Sequence, residues 1–176
     1  MRRNSGSKLT CGITVATLLW FVDPIGAIPL ESWDDKIPNA GTRFKVLAEF
    51  GGQAVLDKET QLVWEQSPAT IVSSWATARL QCTSRTTGGR KGWRLPSVHE
   101  LASLIDPSVA SPGPTLPSGH PFTNIQSHGY WSATTDAEFT THAFIGGLAF
   151  AHVASWEKTT NFYFWCVRGG MNADQY

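Results

Sequence analysis

Hydrophobic and polar positions change rhythm several times along the 176-residue chain. Arg2, Arg3 and Lys8 open it, and an apolar-biased run follows from Cys11 to Val22. Pro24 and Gly26 break the run, and Ile25-Gly26-Ala27 offers a cleavage site after Ala27. Charged start, apolar middle and small-residue cut are the order of a secretory signal, expected over residues 1–27. The run is short for a bilayer span, which takes about 20 apolar residues. Retention as an N-terminal anchor is the alternative. Residues 28–43 are polar, are punctuated by Pro29, Pro38 and Gly41, and read as a flexible arm.

From Phe44 onward the pattern is that of a folded domain. Phe44–Phe50 reads as a strand. Ala54–Leu56 and Leu62–Trp64 flank the polar segment Asp57–Gln61 and predict a hairpin. Ser73 or Ser74 can cap a helix reaching Cys82, with Val72, Trp75, Ala76 and Leu80 at helical spacing. Ser97-Val98-His99-Glu100 is a capping box, in which side chain and backbone of the two end residues satisfy each other. Val98, Leu101, Ala102 and Ile105 then recur at i, i+3, i+4 and i+7, so this second helix turns one face inward until Pro107 stops it. Residues 107–129 are rich in Pro, Gly and Ser, and a loop that long is often functional. Tyr130–Thr134 reads as a strand, His142–Ile145 and Leu148–Ala154 as a hairpin around Gly146-Gly147, and Phe162–Val167 as the closing strand. Residues 171–176 are left as a tail.

Cysteine changes the picture next. With Cys11 inside the signal, an exported protein keeps only Cys82 and Cys166, and an even count outside the cell reads as a disulfide. Two buried free thiols are the alternative. Losing Arg2, Arg3, Lys8 and Asp23 with the signal moves the formal charge from zero to about −2. A balance that close to neutral speaks for neither nucleic acid nor membrane attraction. Eight tryptophans in so lightly charged a chain belong mostly to a core.

Four segments occur in a fixed order: Val55–Trp64 (VLDKETQLVW), Trp93–Leu101 (WRLPSVHEL), Tyr130–Thr134 (YWSAT) and Cys166–Gly170 (CVRGG). Together they resemble the Lcl C-terminal domain family, a bacterial extracellular module named for a collagen-like adhesin. The likeness spans residues 44–170. Gln61 departs from it, standing where the family's turn usually has Gly. The family layout is similar in turn to C-type-lectin-like domains. The resemblance therefore implies an α+β, C-type-lectin-like fold: two helices on small antiparallel sheets, with a bond from first helix to last strand that Cys82 and Cys166 match. It also implies a secreted, periplasmic or cell-surface location. Formylglycine-generating enzymes share the broad fold, so the fold alone does not choose a chemistry.

Candidate sites are weighed residue by residue. The Glu-Pro-Asn, Gln-Pro-Asp and Trp-Asn-Asp triplets of calcium-dependent lectins are absent. Calcium needs six to eight oxygen ligands, and Asp136 and Glu138 are the only acids between Pro107 and Ser155. His99, His120, His128, His142 and His152 form no zinc motif, although His142 and His152 would face each other across the hairpin. No metal or other cofactor is expected. No Gly-x-Ser-x-Gly elbow is present and no catalytic residue is assigned. Trp93, Arg94, Pro96, Ser97, Glu100, Trp131 and Arg168 are read as structural: Trp93 and Leu95 packing inward, Arg94 meeting a carboxylate or carbonyls, Arg168 pairing with Glu100 or Asp57.

Two surfaces remain as ligand candidates. Arg79, Arg85, Arg90, Lys91 and Arg94 cluster without an intervening acid, and guanidinium groups suit sulfated or phosphorylated polymers. The long loop offers His120, Asn124, Gln126, His128 and Tyr130, a set suited to sugars or protein partners. Ligand contact is thus expected from Arg85, Arg90, Lys91, Asn124, His128 and Tyr130. The function expected is adhesin-like recognition of a glycan or an extracellular protein. A structural or assembly module, such as a trimeric cap, is the second reading, and a formylglycine-generating-like enzyme the third.

Overall fold

The structure, a computed structural model, describes residue 37 and residues 39–169. The expected signal over 1–27, most of the expected arm and the tail from 171 lie outside the described residues. The arm does not extend to residue 43. Asn39 caps a short helix, α1 (Ala40–Arg43), by accepting from the Gly41 N–H at 2.8 Å. Ala40 and Arg43 are buried. The Arg43 guanidinium holds Asp57 with two hydrogen bonds of 2.9 and 2.7 Å and donates to the Ser103 carbonyl at 2.9 Å. A buried ion pair is tolerated only when its other hydrogen-bonding positions are met. Asp57 meets them, accepting also from the Glu59 N–H and the Thr60 hydroxyl.

The first sheet is antiparallel throughout, in the order β1-β2-β3-β8. Its strands are β1 (Phe44–Val46), β2 (Ala54–Asp57), β3 (Leu62–Glu65) and β8 (Val167–Arg168). The first expected strand is shorter than its apolar run, because Ala48–Phe50 coils into a 3₁₀ turn closed by Gly51 at φ +61°. The β2–β3 hairpin forms as expected, with Gln61 in the left-handed region at φ +58°. That conformation explains why glycine suits the position.

The second sheet runs β6-β5-β4-β7, from β4 (Gly129–Thr135), β5 (His142–Gly147), β6 (His152–Glu157) and β7 (Tyr163–Phe164). Its pairings are antiparallel except β4 with β7, which is parallel. Two expectations are corrected here. The single closing strand is two strands in two sheets, since β7 pairs with β4 and β8 with β3, while Trp165 and Cys166 cross between them fully buried. The β5–β6 hairpin turns at Leu148–Ala151 and not at Gly146-Gly147, so His142 stands opposite Glu157 and His152 opposite Gly147, at opposite ends of the hairpin.

Helix α2 (Trp75–Ser84) buries Ala78 and Cys82. Leu80 and Val72 are exposed, so the expected apolar stripe is not the packed face. Cys82 is bonded to Cys166, 84 positions further along the chain, with Cα atoms 5.4 Å apart. Helix α3 (Val98–Ala102) has the expected capping box: Ser97 Oγ accepts from the Glu100 N–H, and the Glu100 carboxylate accepts from the Ser97 N–H at 2.7 Å. Leu101 carries its burial, and Leu104, in the turn that follows, is buried as well. The result is an α+β domain with few helices, two small sheets and one disulfide among the described residues. Two apolar clusters fill it. One surrounds the disulfide with Trp93, Trp131 and Phe164, and the other holds Trp64, Trp165 and Tyr130.

Candidate functional site

Apolar side chains that stay wet are the informative ones in a fold with so much aromatic core. Phe150 is 65% exposed, Trp156 47% and Val153 46%, and all three belong to the β5–β6 hairpin. Phe150 sits in its turn, which the long loop bolts down: Leu148 N–H donates to the His128 carbonyl at 3.0 Å, and Thr115 N–H and hydroxyl both donate to the Leu148 carbonyl. Ala151 completes the turn at φ +51°.

Beside this hairpin lies a cleft of about 220 Å³. Ile145, Gly129 and Phe162 form its floor. Phe162 is fixed from below by Trp131, edge-on at 5.0 Å between ring centroids. Trp156 rises over Phe162 at 5.6 Å and 63°. His128, from the end of the long loop, lies 5.7 Å from Phe162 and 5.5 Å from Tyr163. His152 faces in from β6, its ring laid over Gly147 so closely that a Cβ there would collide with it. Phe150 stands 6.4 Å from His152. The cleft is thus walled by aromatic rings, with two imidazoles, the Ser127 hydroxyl and the Trp156 indole N–H as its side-chain polar groups.

A second, polar hollow of about 390 Å³ is lined by Glu65, Ser67, Thr70, Gln81 and Arg85. Burial pushes the Glu65 carboxyl up from its ordinary value, against the opposing pull of Thr87, Arg85 and the Cys166 N–H. All three partners are in place: the Thr87 hydroxyl at 2.7 Å, Arg85 Nε at 3.3 Å and the Cys166 N–H at 3.4 Å. Glu65 therefore ties β3 to the loop after α2 and to the crossing segment.

The residues expected to bind ligand do not form one surface. The basic cluster disperses: Arg79 stacks on Trp75, Arg85 pairs with Glu65, and Arg94 grips Glu100 through bonds of 2.8 and 2.7 Å. Arg90 and Lys91 are exposed, with Arg90 over the Phe50 ring at 5.8 Å. Asn124, at φ +56°, donates to the Ser67 hydroxyl. Tyr130 is corrected outright. It is fully buried, its hydroxyl accepts from the Gln126 N–H at 2.7 Å, and burial pushes its pKa up to about 12. Of the six, His128 alone enters the cleft. Trp156, Phe150, His152 and Phe162 were missed. Phe150 sits between Ala149 and Ala151, and only the position of the turn reveals that it and Trp156 remain outside.

Arg94 meets both a carbonyl and a carboxylate, donating to the Leu95 carbonyl and to Glu100. Trp93 and Leu95 are buried, Pro96 is buried, and Trp131 is core. Arg94 joins the chain ends of the motif, exchanging backbone hydrogen bonds with Val167 while its guanidinium holds Glu100. Arg94 holds Glu100 and Arg43 holds Asp57, the two acids expected for Arg168. Arg168 lies over the Phe50 ring at 5.6 Å. Among the described residues no three His, Cys, Asp or Glu converge as a metal site, and no helix is long and apolar enough to cross a membrane.

The Lcl C-terminal domain model matches residues 53–168 of the chain, more than half of it. That span contains the hairpin β2–β3, both disulfide cysteines and every residue of the cleft. No curated protein matches the chain.

Proposed function

Because the chain belongs to the Lcl C-terminal domain family, an extracellular type of domain, we propose that it is an exported, non-catalytic recognition module that binds a glycan in the aromatic cleft. The observation that carries this reading is the half-exposed Trp156 poised over the buried Phe162, with His128 and His152 at the rim. Sites for small ligands combine mostly apolar walls with a few placed polar groups. A sugar ring has a flat C–H face for the indole and hydroxyls for the imidazoles. A C-type-lectin-like scaffold fits the same picture: the disulfide joins helix α2 to the crossing segment, and strand β8 returns to the sheet of β1. Secretion, to the periplasm, the cell surface or beyond, is part of the proposal.

A glycan array tests it, read with the unaltered chain and with Trp156→Ala. Binding that falls at least tenfold in the variant, with an unchanged far-UV spectrum, is the expected result. An array silent for both proteins overturns the reading. An assembly role has one observation in its favour: β6 is an edge strand, with exposed Val153 on the face away from the cleft. Such edges pair readily with another chain. A stable oligomer by size exclusion, together with a silent array, would favour it.

A further inference from the structure

We infer that the cleft selects a neutral sugar ring carrying an acetamido group, an inference that rests on the glycan reading above. Charge gives the first reason. No Arg, Lys, Asp or Glu lines the cleft. A sulfate or uronate entering it would lose water without gaining a counter-charge, which is costly. The clustered basic groups do not supply one, since none of Arg79, Arg85, Arg90, Lys91 and Arg94 lines the cleft.

Size gives the second. About 220 Å³ lies below the roughly 300–1,000 Å³ of sites for drug-sized ligands. One ring fits, at a chain end or a branch, and not an extended stretch of polymer.

The distribution of polar groups gives the third. Ile145 and Phe162 leave an apolar floor, and the side-chain hydrogen-bonding groups are those of Ser127, His128, His152 and the Trp156 indole N–H. A plain hexose would press hydroxyls onto that floor and leave them unpaired, at a free-energy cost. An acetamido group divides as the cleft does. Its methyl meets the floor, and its C=O and N–H meet imidazoles, each neutral ring having one donor and one acceptor nitrogen. The sugar's C–H face is left for Trp156. His152 is held in this role by Gly147, whose missing Cβ gives its ring room to lie flat.

Titration calorimetry with three methyl glycosides tests the inference: those of N-acetylglucosamine, glucose and glucuronic acid. The full exported chain is used, at low and at physiological salt. The N-acetylated sugar should bind at least tenfold more tightly than the other two, with little dependence on salt. Trp156→Ala and Gly147→Ala should each weaken it about tenfold or more, the first variant keeping the melting temperature because Trp156 is half-exposed. If the glucoside or the glucuronide binds as well as the N-acetylated sugar, and Trp156→Ala weakens it, the acetamido inference fails while the glycan reading stands. If no glycoside binding responds to Trp156→Ala, both fail.

Discussion

Glu65 and Glu100 show how one residue type takes opposite roles under different surroundings. For Glu100, burial would raise the carboxyl, but Arg94 and the Ser97 N–H outweigh it and hold the group below its ordinary 4.5. A depressed folded pKa contributes stability above the unfolded value, and that stability is lost as pH falls through the folded one. Glu100→Gln should therefore lower the melting temperature at pH 7 and flatten its decline below about pH 4.5, as thermal melts across pH would read. Glu65 has the opposite sign. Its raised pKa means that stability declines as pH climbs from 4.5 through the folded value. Glu65→Gln should remove that decline. Ser97→Ala should cost roughly 0.5–2 kcal/mol by removing a helix cap. The capping box was legible in sequence because its two partners lie three positions apart. The Arg43–Asp57 pair, 14 positions apart, was not, nor was the burial of the Tyr130 hydroxyl, which only a partner across the loop makes possible.

At the scale of elements, period identified helices and strands but not which face packs. Helix α2 shows the reason. Its orientation is fixed by Cys82, and Ala78 lies one turn before it. The bulkier Leu80 falls on the far side and stays exposed, so tertiary linkage overrides the apolar stripe. Leu80→Ser should then change stability by no more than about 0.5 kcal/mol, as expected of a surface site. The displaced hairpin turn has a packing cause. A Cβ on Gly146 would lie 2.8 Å from the Leu101 side chain, so this strand glycine lets helix α3 lie close against β5. Gly146→Ala should cost about 1–3 kcal/mol, the usual penalty of overpacking, in chemical denaturation. Glycine pairs read as turns when only sequence is considered, because close approach of a distant helix leaves no local sign.

Across the whole molecule, the four ordered motifs revealed the domain and its disulfide, because each motif is a junction. Trp93–Leu101 meets Val167, and Val55–Trp64 pairs with the last strand. The ligand surface was less legible. It depends on where the long loop and the β5–β6 turn come together, and sequence showed a charge cluster that the fold takes apart. Closing a loop of 84 residues is worth roughly 4–5 kcal/mol in the chain-entropy model. Reduction should accordingly lower the melting temperature by many degrees, measured by calorimetry with and without dithiothreitol. An unchanged melting temperature would show that the bond adds no stability.

The same bond sets how the domain carries force. A pull at the C-terminus of an attached molecule reaches Cys166 soon after β8 and passes through sulfur into helix α2. The chain between Cys82 and Cys166 then bears no tension and cannot unspool. Its 84 residues represent roughly 280–300 Å of slack when extended. Oxidised, the domain can extend under load only through the segment that precedes Cys82. Reduction adds the segment between the two cysteines to what can extend, so the state of this one bond sets how far the domain stretches.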